Sequence, residues 1–169
     1  PEHRAAAARP ELLNKLPEAD IILEAELEDY GKAKGLTPVN LPEASGGQAM
    51  ALGDETTGAG GQVKLEPGEY TLLVRAWGPT SEQDAFFVDI RGRRERRWAA
   101  GPRWTEVACN FKVGKTELVP IAIIGAEPGA CVDRIAVVRG TYRTPDGQGE
   151  SIGRDVTISQ SIDVRQFAG

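Results

Sequence analysis

The chain has 169 residues, enough for one domain of ordinary size with a buried core. Hydrophobic residues make up 40% of it and charged residues 27%, as in a soluble globular protein, and no stretch approaches the ~18 apolar residues of a membrane-spanning helix. The formal net charge of −5 disfavours binding to nucleic acid, whose phosphates attract basic proteins. Twenty Gly and eleven Pro favour short strands joined by tight turns.

Residues 1–20 are predicted to form a linker or accessory segment ahead of the domain. Pro10 suits the first turn of a short helix, because its missing N–H has no partner there in any case. The apolar residues that follow recur three to four positions apart, and Pro17 ends the pattern.

From Ile21 the hydrophobic pattern has a period of two. Leu23 and Ala25 share one face of the first predicted strand, and Glu24 and Glu26 share the other. Turn residues separate further predicted strands at 48–53, 62–66, 69–77, 85–91, 105–113, 116–125 and 131–139. No helix of three turns fits within residues 21–140. The pattern therefore predicts an all-β domain at 21–140, a β-sandwich of the jelly-roll type. Pro120 lies inside one predicted strand, so we expect an edge strand or a bulge there.

Residues 141–169 form a C-terminal extension or linker. The stretch 155–164 again alternates apolar and polar residues and predicts an extra strand. It either folds back on the domain or pairs with a neighbour, which would make a homo-oligomer.

The paired glutamates of the first strand are the first candidate site. Glu24 and Glu26 point the same way and repel each other unless a partner neutralises them. A hard divalent cation such as Ca²⁺, which takes 6–8 oxygen ligands, is one such partner. The alternative is a solvated outer face of an edge strand.

Four short motifs occur in a fixed order: EAE at 24–26, ASGGQ at 44–48, GEYT at 68–71 followed by VRA at 74–76, and VDRI at 132–135. In this order they resemble carbohydrate-binding modules of families 6 and 35, over roughly residues 21–140. The resemblance implies a calcium-containing β-sandwich jelly roll that is not itself an enzyme and that is appended to polysaccharide-degrading enzymes.

The resemblance also implies a ligand set. The side chains of Glu24, Glu26 and Asp133 would hold a structural Ca²⁺ that joins the first strand to the last. The alternative for Asp133 is an ion pair with a nearby Arg. The residues before Asp133 differ from those of many sugar-binding members, which carry an Asn there.

Three tryptophans are candidates for sugar binding, because the C–H faces of sugars pack on aromatic rings. Trp104 matches a position at which members of the family often carry a Trp that stacks on sugar. Trp77 ends a strand near the same edge, and Trp98 lies among arginines. For each the alternative is a place in the core.

An arginine-rich strip runs from Arg91 to Arg103, and residues 89–104 hold six Arg against two acids, Asp89 and Glu95. Arg94 and Arg97 are the candidates in it for binding a uronic-acid or sulfated glycan, since guanidinium groups pair with such anions in bidentate geometry. The alternative is a solvated hairpin whose arginines pair with the acidic body of the protein.

The sequence holds little that favours catalysis. The one His is His3, near the start, and no zinc, nucleophile-elbow or phosphate-loop motif is present. We therefore expect a non-catalytic module, secreted or at the cell surface, whose partner is a polysaccharide or a neighbouring protein domain. The alternative is a structural subunit of an extracellular filament, coat or scaffold. Cys109 and Cys131 are either bonded or two buried free thiols.

Overall fold

The computed structural model describes residues 9–143. It contains eleven strands: β1 (Ile21–Glu26), β2 (Lys32–Lys34), β3 (Thr37–Asn40), β4 (Gln48–Ala51), β5 (Gly58–Leu65), β6 (Gly68–Trp77), β7 (Ala85–Ile90), β8 (Arg93–Trp98), β9 (Thr105–Val113), β10 (Glu117–Gly125) and β11 (Cys131–Arg139). Short 3₁₀ turns lie at Glu11–Lys15, Glu18–Asp20, Leu27–Asp29 and Ser45–Gly47.

The strands form two antiparallel sheets. The six-stranded sheet has the order β3-β4-β11-β6-β9, with β1 also pairing with β11, and the five-stranded sheet has the order β2-β5-β10-β7-β8. Their inner faces enclose the main hydrophobic core, which the predicted all-β sandwich requires. The first strand is thereby fixed beside the last, and the glutamates of β1 face the residues of β11.

The central strand β6 is buried on both faces, so its sequence is a nearly continuous apolar run rather than an alternating one. Leu72 and Val74 point into the core between the sheets. Leu73 points to the outer face, where it packs with Leu13 of the N-terminal segment and Ala136 of β11. The six-stranded sheet therefore has a second hydrophobic layer on its outer face.

The N-terminal segment supplies that layer from residue 9 onward. It forms a 3₁₀ turn at Glu11–Lys15 and not an α-helix, and Leu13 is only 2% exposed. Leu12 and Leu16 pack beside it. Within its described part the accessory segment is thus attached to the sandwich.

The other predicted strands correspond to β4, β5, β6, β7, β9, β10 and β11, with ends that differ by a few residues. The short strands β2 and β3 and the arginine-rich β8 were not predicted. β8 has the sequence RRERRW and pairs only with β7, at the edge of its sheet. Charged edge strands lack the alternating apolar signal on which prediction depends.

The expectation of an edge or a bulge at Pro120 was wrong. β10 lies between β5 and β7, and Pro120 is in register with Gln62 of β5. Pairing with β7 begins only at Ile121, and the Pro120 carbonyl accepts a hydrogen bond from the N–H of Arg91 at 2.9 Å. Arg91 and Gly92 form the β7–β8 turn with φ of 56° and 83°. Proline is tolerated because it lies where the β7 ladder ends.

Cys109 and Cys131 are both buried and form no disulfide with each other, and burial raises the pKa of Cys131 to about 11. Between residues 9 and 143 no helix is long and apolar enough to cross a membrane. The predicted strand at 155–164 and its pairing lie outside the described residues.

Candidate functional site

A groove of about 370 Å³ lies at one end of the sandwich and is lined by two of the predicted tryptophans. Trp77 ends β6, and Trp104 precedes β9, the strand that pairs with β6. The antiparallel pairing brings the end of one strand beside the start of the other. The remaining lining residues are Leu41, Pro42, Glu43, Pro102 and Arg103.

Both tryptophans of the groove are half-buried. Each packs against a small cluster of Ala44, Ala49 and Cys131 and also lines the open groove. The sequence left open whether these rings belong to the core or to a binding surface, and the structure gives them both environments. A ring supported on one side and open on the other can stack against the C–H face of a sugar.

Arg75 supports Trp104 within the protein. Its guanidinium carbon lies 4.0 Å from the centre of the Trp104 ring, a cation–π contact, and its Nη1 donates to Oδ2 of Asp133 at 2.9 Å. Burial lowers the pKa of Arg75, while the Asp133 carboxylate opposes that shift. Sequence reasoning did not include Arg75 among the site residues, although it lies in the VRA motif.

Arg103 is the exposed cation of the groove. In the described part of the chain no carboxylate forms an ion pair with it. Glu43 also lines the groove, and its charge favours the charged form of Arg75. Sequence reasoning placed Arg103 in the basic strip but not in the candidate site, although its position next to Trp104 was the signal that could have identified it.

Trp98 lies outside this groove. It is half-buried and lines a neighbouring groove with Asp84, Arg96 and Gly101. The loop between Trp98 and Trp104 separates the two surfaces. Its ends are tied together by the N–H of Ala100, which donates to Oγ1 of Thr105 at 3.0 Å.

The two arginines predicted to bind a glycan do not reach the groove of Trp77 and Trp104. Arg97 is fully buried and therefore cannot contact a ligand. Arg94 lies near the other end of β8 and pairs with Asp89 at 3.5 Å and with Glu55 at 3.9 Å. The rest of the strip is similar, with Arg91 paired to Glu117 and Arg96 to Glu127. These contacts correspond to the alternative, in which the arginines pair with the acidic body.

The paired glutamates of β1 face arginines. Arg9 binds Glu24 through two nitrogens, at 2.6 and 3.0 Å. Arg134 of β11 places one nitrogen 3.2 Å from Glu24 and another 3.8 Å from Glu26. Burial is the main cause that raises the pKa of Glu26, and the neighbouring Glu28 raises it further.

Asp133 has a separate set of partners. Its Oδ2 accepts from the N–H and the hydroxyl of Ser45 at 3.0 and 3.1 Å, in addition to Arg75. Its buried Oδ1 has no hydrogen-bond partner among residues 9–143. Burial raises the pKa of Asp133, and these donors oppose the rise.

The arrangement of these carboxylates does not fit the expected calcium. Residues 9–143 hold no group of three or more His, Cys, Asp or Glu side chains that could bind a metal ion. Glu24, Glu26 and Asp133 are directed at guanidinium groups instead. The alternative weighed for Asp133, an ion pair with a nearby Arg, is what the structure contains.

No protein-family profile matches the sequence, and no curated protein is similar enough to be matched. Solved structures do match. The CBM36-1 domain of a multidomain xylanase from the hindgut metagenome of Trinervitermes trinervoides superposes with a TM-score of 0.55 at 11% identity, over 71% of this chain and 98% of that domain. A family 35 carbohydrate binding module from Clostridium thermocellum gives 0.53 at 15% identity, over 69% and 98%.

The chain has the fold of a carbohydrate-binding module. A third match is an uncharacterized Listeria monocytogenes protein in complex with glucose, magnesium and calcium, with a TM-score of 0.56 at 16% identity, over 69% of this chain and 12% of that one. Two other matches are larger enzymes, and this chain spans only 12% of the length of one and 29% of the length of the other. The CBM36-1 domain and the family 35 module, by contrast, are each matched over 98% of their own length.

Proposed function

We propose that this module binds a polysaccharide without catalysing a reaction, in the groove of Trp77 and Trp104. The observation that carries the proposal is the pair of half-buried rings, both open to one groove at the end of a carbohydrate-binding-module fold. Aromatic faces supply stacking area, and the polar side chains at the rim supply hydrogen bonds for sugar hydroxyls.

We further propose that the preferred polysaccharide is anionic, with uronic-acid or sulfate groups. Arg103 is exposed at the rim, beside Trp104, and has no ion-pair partner in the described part of the chain. A guanidinium group binds a carboxylate or sulfate in bidentate geometry. The predicted Arg94 is replaced in this role by Arg103, because Arg94 already has two acidic partners.

The biological effect we propose is targeting outside the cell or at its surface. Holding an appended enzyme or surface assembly on a polysaccharide raises the effective concentration of the substrate, with no chemistry in the module itself. Larger enzymes of which a similar domain is a small part support this proposal.

Affinity gel electrophoresis tests the groove. The full chain is run in gels containing polygalacturonate, a sulfated galactan, xylan or glucomannan. We expect retardation by at least one of the anionic polymers and at least a tenfold weaker effect after Trp104→Ala, because stacking on the ring is lost (roughly 1.4 kcal/mol per tenfold). Trp98→Ala is the matched control outside the groove and should leave retardation unchanged. Wild-type mobility that no polymer alters would refute the proposed function.

The charge preference has its own pair of variants. Arg103→Gln should weaken retardation by the anionic polymer and leave any retardation by a neutral polymer unchanged. Arg94→Gln removes the same charge from a paired arginine and should have no effect. Stronger binding to a neutral polymer than to either anionic one would contradict the anionic preference while leaving the groove intact.

A further inference from the structure

Three carboxylates and three guanidinium groups meet where the first and last strands pair. The carboxylates belong to Glu24, Glu26 and Asp133, and the guanidinium groups to Arg9, Arg75 and Arg134. We call this set, with Ser45, the arginine–carboxylate network. The formal charges of these six groups cancel, so the network by itself carries no net negative charge, and Glu28 and Asp29 lie near Glu26 at its edge.

The oxygens of Glu24 are already occupied. Oε1 accepts from Arg9, and Oε2 accepts from both Arg9 and Arg134. A Ca²⁺ ion at this position would lie beside two guanidinium cations and would have to displace them. Ca²⁺ needs 6–8 oxygen ligands. Donors occupy both oxygens of Glu24 and Oδ2 of Asp133, and the open Oδ1 of Asp133 cannot make such a set by itself.

Ser45 connects the two halves of the network. Its hydroxyl donates to Oδ2 of Asp133 at 3.1 Å and accepts from Nε of Arg134 at 2.7 Å. Asp133 is 1% exposed and its partner Arg75 is 7% exposed, so this pair lies in the interior. The network thus joins the N-terminal segment, β1, the turn at Ser45–Gly47, β6 and β11.

We propose that this network joins the first strand to the last, the role that the resemblance implied for a calcium ion. The stability of the fold then depends on arginines and not on calcium. Joining the first and last strands was the role assigned to the metal. Arg134 performs it directly, since it belongs to β11 and contacts both glutamates of β1. The proposal does not depend on sugar binding.

Thermal unfolding of the full chain tests the proposal. The protein is treated with EGTA, and its melting temperature is measured in EGTA and in increasing CaCl₂. A native-state site filled at a hundred times its Kd would raise the melting temperature by roughly 5 to 10 °C. We expect no such rise, and no calcium binding heat in calorimetry. A saturable rise of that size, with matching heat, would overturn the proposal.

A variant of the network provides the converse test. Arg134→Gln leaves Glu24 and Glu26 without their shared partner, so we expect a lower melting temperature and a new stabilisation by calcium. Lys115→Gln removes one positive charge at an exposed turn elsewhere. This control should neither lower the melting temperature nor produce stabilisation by calcium. A melting temperature equal to that of Lys115→Gln would show that Arg134 is not needed, and would overturn its role. If Arg134→Gln does not fold, the wild-type calcium titration still decides the proposal.

Discussion

Arg75 contacts two parts of the candidate site through one side chain. It forms a buried ion pair with Asp133 and lies against the ring of Trp104. Losing one partner of a buried pair is costly because the other charge remains in the interior without compensation. Arg75 therefore links a buried carboxylate to a ring that lines the groove.

Replacement of Arg75 should show this coupling. We expect Arg75→Gln to lower the free energy of unfolding by about 3–5 kcal/mol, because Asp133 is left buried without its counter-ion. The measurement is urea unfolding of Arg75→Gln, Asp133→Asn and the double variant. The double variant should lose less than the two single losses added together. Strict additivity would show that the two side chains do not stabilise each other.

At the scale of elements, the N-terminal segment covers the outer face of the six-stranded sheet. Leu13 is buried against Leu73, Ala136 and Val138. This explains why β6 and β11 carry apolar residues on both faces, as a sheet covered on both sides requires. The segment from residue 9 onward contributes to the stability of the sandwich.

Leu13→Ala should destabilise the protein by about 2–5 kcal/mol, the usual cost of emptying a buried leucine site. Leu118→Ala is the matched control, because Leu118 of β10 is 58% exposed, and a surface change of this kind should cost less than about 0.5 kcal/mol. Both are measured by denaturant unfolding. Equal stability of the two variants would mean that the segment does not hold to the sheet in solution.

Tyr30 connects the loop after β1 to the five-stranded sheet. Its hydroxyl donates to the carbonyl of Ile121 in β10 at 2.8 Å, and burial raises its pKa from 10.0 to about 12. The next residue, Gly31, has φ of +58°, and a Cβ there would lie 2.0 Å from the carbonyl oxygen of Gly60. This close approach to β5 requires glycine and fixes where Tyr30 enters the core.

The raised pKa of Tyr30 predicts a loss of stability at high pH. The Tyr30 hydroxyl ionises near pH 10 in the unfolded state and keeps its proton to about pH 12 in the folded state. The unfolded state therefore binds fewer protons between pH 10 and pH 12. The contribution of Tyr30 to the free energy of unfolding is fully present below pH 10, and it falls by about 2 kcal/mol as the pH rises to 12. Tyr30→Phe should lack this part of the fall. Parallel stability–pH curves for the two proteins would contradict the assignment.

At the scale of the whole molecule, most arginines of the described residues are paired with acids of the protein. The arginines of β8 and its turn contact acids on β7, β10 and the loops, so the strip from Arg91 onward is not an unpaired positive surface. The exposed Arg103 is the exception that lines the groove. Arg103 is therefore the arginine of the strip that the proposed contact with an anionic sugar would use.

The molecule is also held together without a disulfide between its two cysteines, which lie on β9 and β11. Both thiols are buried, and burial disfavours the reactive thiolate of Cys131. We expect neither thiol to react with a thiol reagent in the native protein and both to react in denaturant. The melting temperature should not change with reductant. Rapid reaction of the native protein would show that β9 or β11 opens.

The period-two pattern from Ile21 onward was enough to predict β1 and seven further strands, and with them the sandwich. The sequence also identified Trp77 and Trp104 as ring-bearing ends of strands. Both signals, the alternation of apolar residues and the presence of turn residues, depend only on residues a few positions apart in the sequence. It missed β8, whose arginines carry no such local signal.

The partners of the charged residues were decided only by the tertiary structure. Glu24 meets Arg9, 15 residues away, and Arg134, 110 residues away, while Asp133 meets Ser45 across 88 residues. Nothing in the spacing of these residues distinguishes a carboxylate that faces a metal from one that faces a guanidinium group. Pairing of β1 with β11 brings Arg134 beside Glu24 and Glu26, so the sheet order determined what the paired glutamates bind.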